Sequence, residues 1–510
     1  MLNGVDVTAS GAGTLLDALR DELGRLDVKD GCAPQGQCGC CTVLVDGSPR
    51  VACVTPLARV EGREVTTLDG LDESELARLL DAFDQAAASQ CGFCTPGILV
   101  RLCAAARKGP LDDRAARAAL AAHLCRCTGF QPIVEAAVAA SGTADLVVRD
   151  PAAAAARATL ESGTTQLAGT SVARGRAPFA DDTAPAGALV ALGAGPEGYE
   201  LAGSTAAARR ASGVRQGRNS TVSLSHPVAL PPGSFDLVLQ TTWVEPAYLE
   251  PDASWCVPGG EPASPFANAG AFGAKRHSPV ARDARRLADE RGRPVRVRWT
   301  REAVVLRGAK RPPLALGLHA DGSGTLVLGW TAGSPPLDGL AASIRAACPG
   351  VDVQVEEVTG PLVGTTHRGA GLAEVLAARA VLAERGGECE VETPDGARAA
   401  VRLEGDRVIA RVAAGAPLCA ATLRSYVIGA VHQGLSMVTH EGIAVDEEGT
   451  PVDLTVRSFS ITSAKQMPPV DVELVDSEDP PLAAGTAVFA ATLAAVWLAE
   501  GTTPRWPTRR

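Results

Sequence analysis

The residues best suited to chemistry in this sequence are its cysteines. Ten of the fourteen lie between Cys32 and Cys127. Thiols clustered in this way, in a chain that opens without a secretion signal, read as metal ligands rather than disulfides. The segment GCAPQGQCGCCTVLVDG carries Cys32, Cys38, Cys40 and Cys41, and Cys53 follows. A plant-type [2Fe–2S] cluster takes three thiolates from one loop and a fourth from further on, spaced C-x4-C-x2-C…C. Cys38-x2-Cys41 and the distant Cys53 fit that spacing. Cys32 stands one residue too far from Cys38, so the loop must bulge, and Gly36 can absorb the bulge. Cys40 is then surplus and is expected to pack as a small apolar residue. A zinc site is the alternative, but zinc loops usually show two C-x2-C knuckles and this loop has one.

A second set follows. QCGFCTPG supplies Cys91 and Cys94, and LCRCTGFQPI supplies Cys125 and Cys127. Pro96, Gly97 and Gly129 put both pairs at helix ends or turns. Two helical hairpins can therefore bring the four thiols around a second cluster. Cys103 falls in the middle of a helix and reads as core.

The elements that must position these residues are legible in outline. Residues 1–67 read as a small α+β unit. Leu15, Leu16 and Leu19 have helical spacing, and Thr42 to Val45 form a strand before the Asp46-Gly47 turn. Residues 68–145 read as helical, in three Ala/Leu/Arg-rich runs. Residues 146–233 are rich in Pro, Ala and Gly and read as a linker with short elements. From residue 234 to 502 strands and helices alternate. The net charge of −10 argues against nucleic acid or an anionic membrane surface as partner. No apolar run reaches membrane-spanning length and the N-terminus lacks a signal-peptide pattern, so a cytoplasmic location is expected.

The two cysteine segments closely resemble the paired iron–sulfur domains of the xanthine dehydrogenase/aldehyde oxidoreductase family of molybdenum hydroxylases. More weakly, the later part resembles that family's molybdopterin-binding portion, through AGTSVARGRAPFADD, Glu245 to Pro251, Gly270 to Lys275, Thr366 to Gly371 and Gly429 to Gly434. The resemblance implies a multidomain α+β chain: a β-grasp ferredoxin-like domain, a helical-bundle [2Fe–2S] domain, then a reduced α+β molybdopterin-binding-like region. The family carries a β-strand ahead of the turn at Asn3-Gly4: either the first sheet lacks that edge strand, with lower stability of the domain expected, or the start codon is assigned too late.

The resemblance further implies an oxidoreductase that hydroxylates an aldehyde or N-heterocycle with water and passes electrons through two [2Fe–2S] clusters. By the same analogy Gln90, Phe272, Gly273 and Gln433 would contact a molybdopterin, and Arg368 would orient the substrate. Asp479 aligns with the family's catalytic glutamate, in Glu478-Asp479-Pro480-Pro481-Leu482. The departures are several: this region is short, Ala274 replaces a glycine, Arg276 and Tyr426 replace a glutamate and a glutamine, and the glycine loop before Asp479 is missing. They raise a second reading, an electron-transfer or scaffold subunit without molybdopterin that docks a catalytic or flavin-bearing partner. The family also allows a homodimer.

Overall fold

The computed structural model describes residues 1–10, 13–142, 149–213 and 222–509. Parts of the sequence-predicted helical unit (143–145) and linker (146–148 and 214–221) lie outside the described residues. The architecture is mixed α and β in several units, as the sequence implies.

The first unit holds an antiparallel sheet in the order Ser48–Val51, Thr42–Val45, Val65–Thr66. Every residue of Thr42–Val45 is buried. The helical turn Leu15–Asp17, capped by Thr14, packs its leucines inward and runs on as a wider π turn over Ala18–Glu22.

Four helices follow: Glu73–Gln85, Thr95–Ala106, Asp113–Ala119 and Gln131–Ser141. Asp72 and Asp112 start two of them by accepting hydrogen bonds from otherwise unpaired N–H groups of the first turn. Cys103 is buried in the helix Thr95–Ala106, where the sequence placed it.

The region from Asp150 to Gly233 carries more structure than a linker. Asp150 caps the helix Pro151–Ser162, which Gly163 ends in the left-handed conformation. Leu189–Gly193 is an inner strand of a sheet ordered Glu200–Ala202, Leu189–Gly193, Val295–Trp299, Ala253–Cys256. Two further four-stranded sheets follow in the described residues. The helix Gly485–Ala499 is apolar on all sides and runs through the core against the helices Ala420–Thr439 and Leu372–Leu382.

The iron–sulfur-like units are embedded in the rest. One core runs from Leu2 to Ala137 and continues into Phe179, Trp243, Leu249, Val363, Val445 and Phe459. A network of buried ion pairs seals the first unit to its neighbours. Arg20 and Lys29 meet Asp182, Arg20 and Arg298 meet Asp181, and Arg209 and Arg298 share Asp30. Each charge there has an opposite partner, which burial demands.

Candidate functional site

The loop from Cys32 to Cys41 and the turn at Cys53 bring their thiols together. The Cys32 side chain meets those of Cys38 and Cys53, and Cys53 also meets Cys41. All four are buried. Gly36, where the bulge is expected, takes φ +71°, and Ala33 and Gly39 of the same loop also take a positive φ. The Gln35 N–H donates to Cys32 Sγ at 3.1 Å, and the Cys53 N–H to Cys41 Sγ at 3.4 Å. Such bonds favour charge on sulfur.

In the second set Cys91 Sγ lies 3.5 Å from Cys127 Sγ, and Cys94 meets Cys125. Cys94 is the cap residue of the helix Thr95–Ala106. The Cys94 contact, with help from the Thr128 hydroxyl 3.1 Å away, holds the Cys125 thiol below its ordinary value. The first set thus offers four buried sulfurs linked by contacts and the second offers two contacting pairs, donor sets that suit [2Fe–2S] clusters.

The two sets are joined by main chain. The Leu124 N–H donates to the Cys38 carbonyl at 3.0 Å, and Leu124 precedes Cys125. Gly97, in the first turn of its helix, allows the close approach. A Cβ there would stand 2.3 Å from the Gly39 carbonyl oxygen and 2.7 Å from that of Cys40.

The glycines of the large portion face the second set. A Cβ on Gly270 would lie 2.5 Å from Cys127 Sγ and 3.0 Å from Cys91 Sγ. On Gly429 it would lie 1.7 Å from the Cys127 carbonyl oxygen. Gly273 presses instead on the Thr366 carbonyl, at 2.4 Å from the same imagined atom.

The other residues singled out by resemblance divide into two groups. Gln90, Phe272, Arg368 and Gln433 gather near the second set. Gln90 Nε2 donates to the Cys127 carbonyl at 3.1 Å and to Ser425 Oγ at 2.9 Å. The Arg368 guanidinium lies 3.9 Å from the Phe272 ring centre and donates to Gln433 Oε1 at 3.0 Å. Burial pulls Arg368 down to about 10, while Glu161 nearby pulls it back up. Gln90 Oε1 and Arg368 Nη2 have no hydrogen-bond partner among the described residues. Asp479 stands apart: it is exposed, and its carboxylate accepts from Ser477 Oγ at 2.8 Å.

Sequence reasoning missed two charged groups here. Glu161 accepts hydrogen bonds from the Ala484 and Gly485 N–H groups, both at 3.0 Å, and pairs with Arg157. Arg126, between Cys125 and Cys127, forms a buried two-pronged pair with Glu441 at 2.5 and 2.6 Å. An arginine inside C-R-C was visible; its partner, far along the chain, was not.

His432 sits beside this pair, its Nε2 2.8 Å from the Thr462 carbonyl. Burial, then Arg126, holds its imidazole down to about 4. An unfolded histidine titrates near 6.5. The unfolded chain therefore binds the proton first, and the stability from His432, complete above pH ~6.5, is lost as pH falls toward 4. Glu250, raised to about 7 by burial despite Lys275, works in the opposite sense. The check is a difference measurement: between pH 7 and 5, the melting temperature of His432→Gln should fall less than that of the parent. An equal fall in both proteins would refute the assignment.

Comparison with known proteins agrees with this geometry. A family model described as a 2Fe-2S iron-sulfur cluster binding domain matches residues 1–67, and one described as a [2Fe-2S] binding domain matches residues 67–138. The xanthine dehydrogenase iron-sulfur-binding subunit of Escherichia coli O157:H7 is 44% identical over 126 residues, covering 24% of this chain and 79% of that protein. The nicotine 6-hydroxylase small subunit of Paenarthrobacter nicotinovorans is 40% identical over 130 residues, covering 25% of this chain and 78% of that protein. The structure of the aldehyde oxidoreductase from Desulfovibrio gigas superposes with a TM-score of 0.73 at 16% identity, over 100% of this chain and 98% of that one. At that identity the likeness beyond residue 138 is one of fold. Among the described residues no helix is long and apolar enough to cross a membrane. The chain belongs to the xanthine dehydrogenase/aldehyde oxidoreductase family of molybdenum hydroxylases, and as an oxidoreductase of that family it opens with two 2Fe-2S binding domains.

Proposed function

We propose that the chain is the electron-carrying component of a cytoplasmic hydroxylase that oxidises an aldehyde or N-heterocycle with water. One [2Fe–2S] cluster is held by Cys32, Cys38, Cys41 and Cys53 in a domain of residues 1–67. The other is held by Cys91, Cys94, Cys125 and Cys127 in a domain of residues 68–145. The clusters supply one-electron chemistry. The chain's own part is to hold them close, to exclude water and to donate hydrogen bonds to the ligand sulfurs. Residues 146–233 bind these domains to a molybdopterin-binding-like body, 234–502, which houses the clusters and docks a catalytic or flavin-bearing partner subunit. The observation that carries this reading is the fit of Gly270 and Gly429 against Cys91 and Cys127. Two of the glycines that resemble cofactor loops are spent on the second cysteine set.

One observation favours a second reading, in which the large portion itself holds a molybdopterin. Gln90 Oε1 and Arg368 Nη2 are buried without partners. In that reading Gln90, Phe272, Gly273 and Gln433 bind the cofactor and Arg368 orients the substrate. The exposed Asp479, at hydrogen-bond distance from Ser477, offers no support for a catalytic carboxylate.

Elemental analysis of anaerobically purified protein separates the two. About four irons per chain without molybdenum is expected for the first reading. About one molybdenum per chain would overturn it in favour of the second. Replacing Cys94 or Cys127 with serine should remove two irons and one cluster's signal. Loss of both signals would refute the ligand sets.

A further inference from the structure

A buried histidine stands where the two cysteine sets meet. His123 lies two residues before Cys125 and is 4% exposed. Its main-chain N–H donates to the Leu120 carbonyl at 2.8 Å and closes a short helical turn. Its ring reaches across to the first set. Nε2 lies 3.2 Å from the hydroxyl of Thr42, which follows Cys41 and is buried as well. The Thr42 hydroxyl in turn lies 2.7 Å from the Gly39 carbonyl, which can only accept. Thr42 has one hydrogen to give and spends it there. Its oxygen therefore accepts from His123, which places a hydrogen on Nε2. Gly39 makes room for the ring: it takes φ +77°, and a Cβ there would stand 2.5 Å from His123 Cδ2. One residue on from His123, the Leu124 N–H bonds the Cys38 carbonyl at 3.0 Å. Two links thus join the segment that carries Cys38 and Cys41 to the one that carries Cys125.

We propose that His123 is a positioning residue for electron transfer: its Nε2–H···Oγ1 bond to Thr42, passed on to the Gly39 carbonyl, clamps the loop of the first cluster against the Cys125 segment of the second and holds their spacing. This rests on the ligand sets proposed above. The main-chain bond from Leu124 to Cys38 is a single point of attachment, about which two segments can pivot. The His123 bond starts one residue earlier and ends at the far side of the loop, so it removes the pivot. Both partners are buried, so water does not replace the bond when it is lost. Electron exchange between two centres depends steeply on their separation, and a fixed spacing keeps it uniform from molecule to molecule.

The test uses the full-length chain with both clusters reduced. Each reduced cluster is paramagnetic and splits the other's electron paramagnetic resonance signal, by an amount that falls with the cube of their separation. A resolved splitting is expected in the parent. Thr42→Val keeps the shape of the side chain and the Thr42 N–H bond to the Gly39 carbonyl, and removes only the hydroxyl. With about four irons retained, it should lose the resolved splitting, because a spacing free to vary smears it. Thr42→Ser loses a methyl, keeps the hydroxyl and should keep the splitting. A packing role would produce the reverse order. His123→Ala should match Thr42→Val, and combining the two should add nothing. If the alanine variant fails to fold, the two Thr42 variants decide. An unchanged splitting in Thr42→Val, or none in the parent, overturns the clamp and leaves the ligand sets standing. A parent with only about two irons overturns the ligand sets and the clamp with them.

Discussion

Gly429→Ala is expected to unseat the helix Ala420–Thr439 from the second cysteine set and to abolish that set's metal signal while sparing the first. Two effects compete at this position. In a helix interior, alanine is favoured over glycine by about 1 kcal/mol. Against that, the new methyl would stand 1.7 Å from the Cys127 carbonyl oxygen, well inside contact distance. The carbonyl cannot retreat cheaply, because Gln90 Nε2 donates to it at 3.1 Å and its neighbours carry the site's thiols. Forcing atoms into a packed interior costs about 1–3 kcal/mol when the surroundings can adjust, and more when they are main chain. The clash wins, so a substitution that normally stabilises a helix should destabilise this one. Iron content and a denaturant melt would check it. A protein with full iron and an unchanged or higher midpoint would show that the helix does not bear on Cys127.

Glu441→Ala should be nearly as damaging, through charge rather than volume. Glu441 is the two-pronged partner of Arg126, and both side chains are buried. Removing one member leaves a guanidinium without its counter-charge in the interior, at a cost of about 3–5 kcal/mol. The remaining bonds of Arg126, to the Pro246 carbonyl at 3.0 Å among them, hold it in place and cannot neutralise it. Arg126 separates Cys125 from Cys127, so the second cluster's signal should broaden or vanish. The double variant Arg126→Met/Glu441→Leu should recover much of the loss, since replacing a whole buried pair with apolar groups is often close to neutral. A single variant within about 0.5 kcal/mol of the parent would place the pair in solvent-like surroundings.

Much of the local architecture was readable because local rules govern it. The helices Glu73–Gln85 and Thr95–Ala106 announce themselves through the Asp72 cap, the Pro96-Gly97 start and their Ala/Leu content. The helix Pro151–Ser162 has an equally good signature in Asp150, Pro151 and Gly163. It was nonetheless absorbed into a linker, because Ala-rich composition hides the apolar stripe. The strand Leu189–Gly193 was missed for a different reason. It pairs in parallel with Val295–Trp299, a partner far along the chain that no local pattern reveals.

The same division holds at the site. Thiols that share a centre must lie close together in loops and turns, so spacing alone suggested the groups Cys32, Cys38, Cys41, Cys53 and Cys91, Cys94, Cys125, Cys127, whose side chains the fold brings into contact. Gly36, marked by the spacing as the place for a bulge, takes a positive φ that glycine adopts at no steric cost. What faces those thiols was decided by tertiary structure. Gly270, Gly429, Glu441 and the Arg368–Phe272 stack reach the second set from distant segments, and glycine spacing reads alike whether the near neighbour is a phosphate or a cysteine. Alignment on Pro-Pro-Leu singled out Asp479, yet the fold leaves Asp479 exposed, while Glu161, which no alignment marked, is buried beside Arg368. Burial and pairing depend on which surfaces meet, and that is settled only when the whole chain packs.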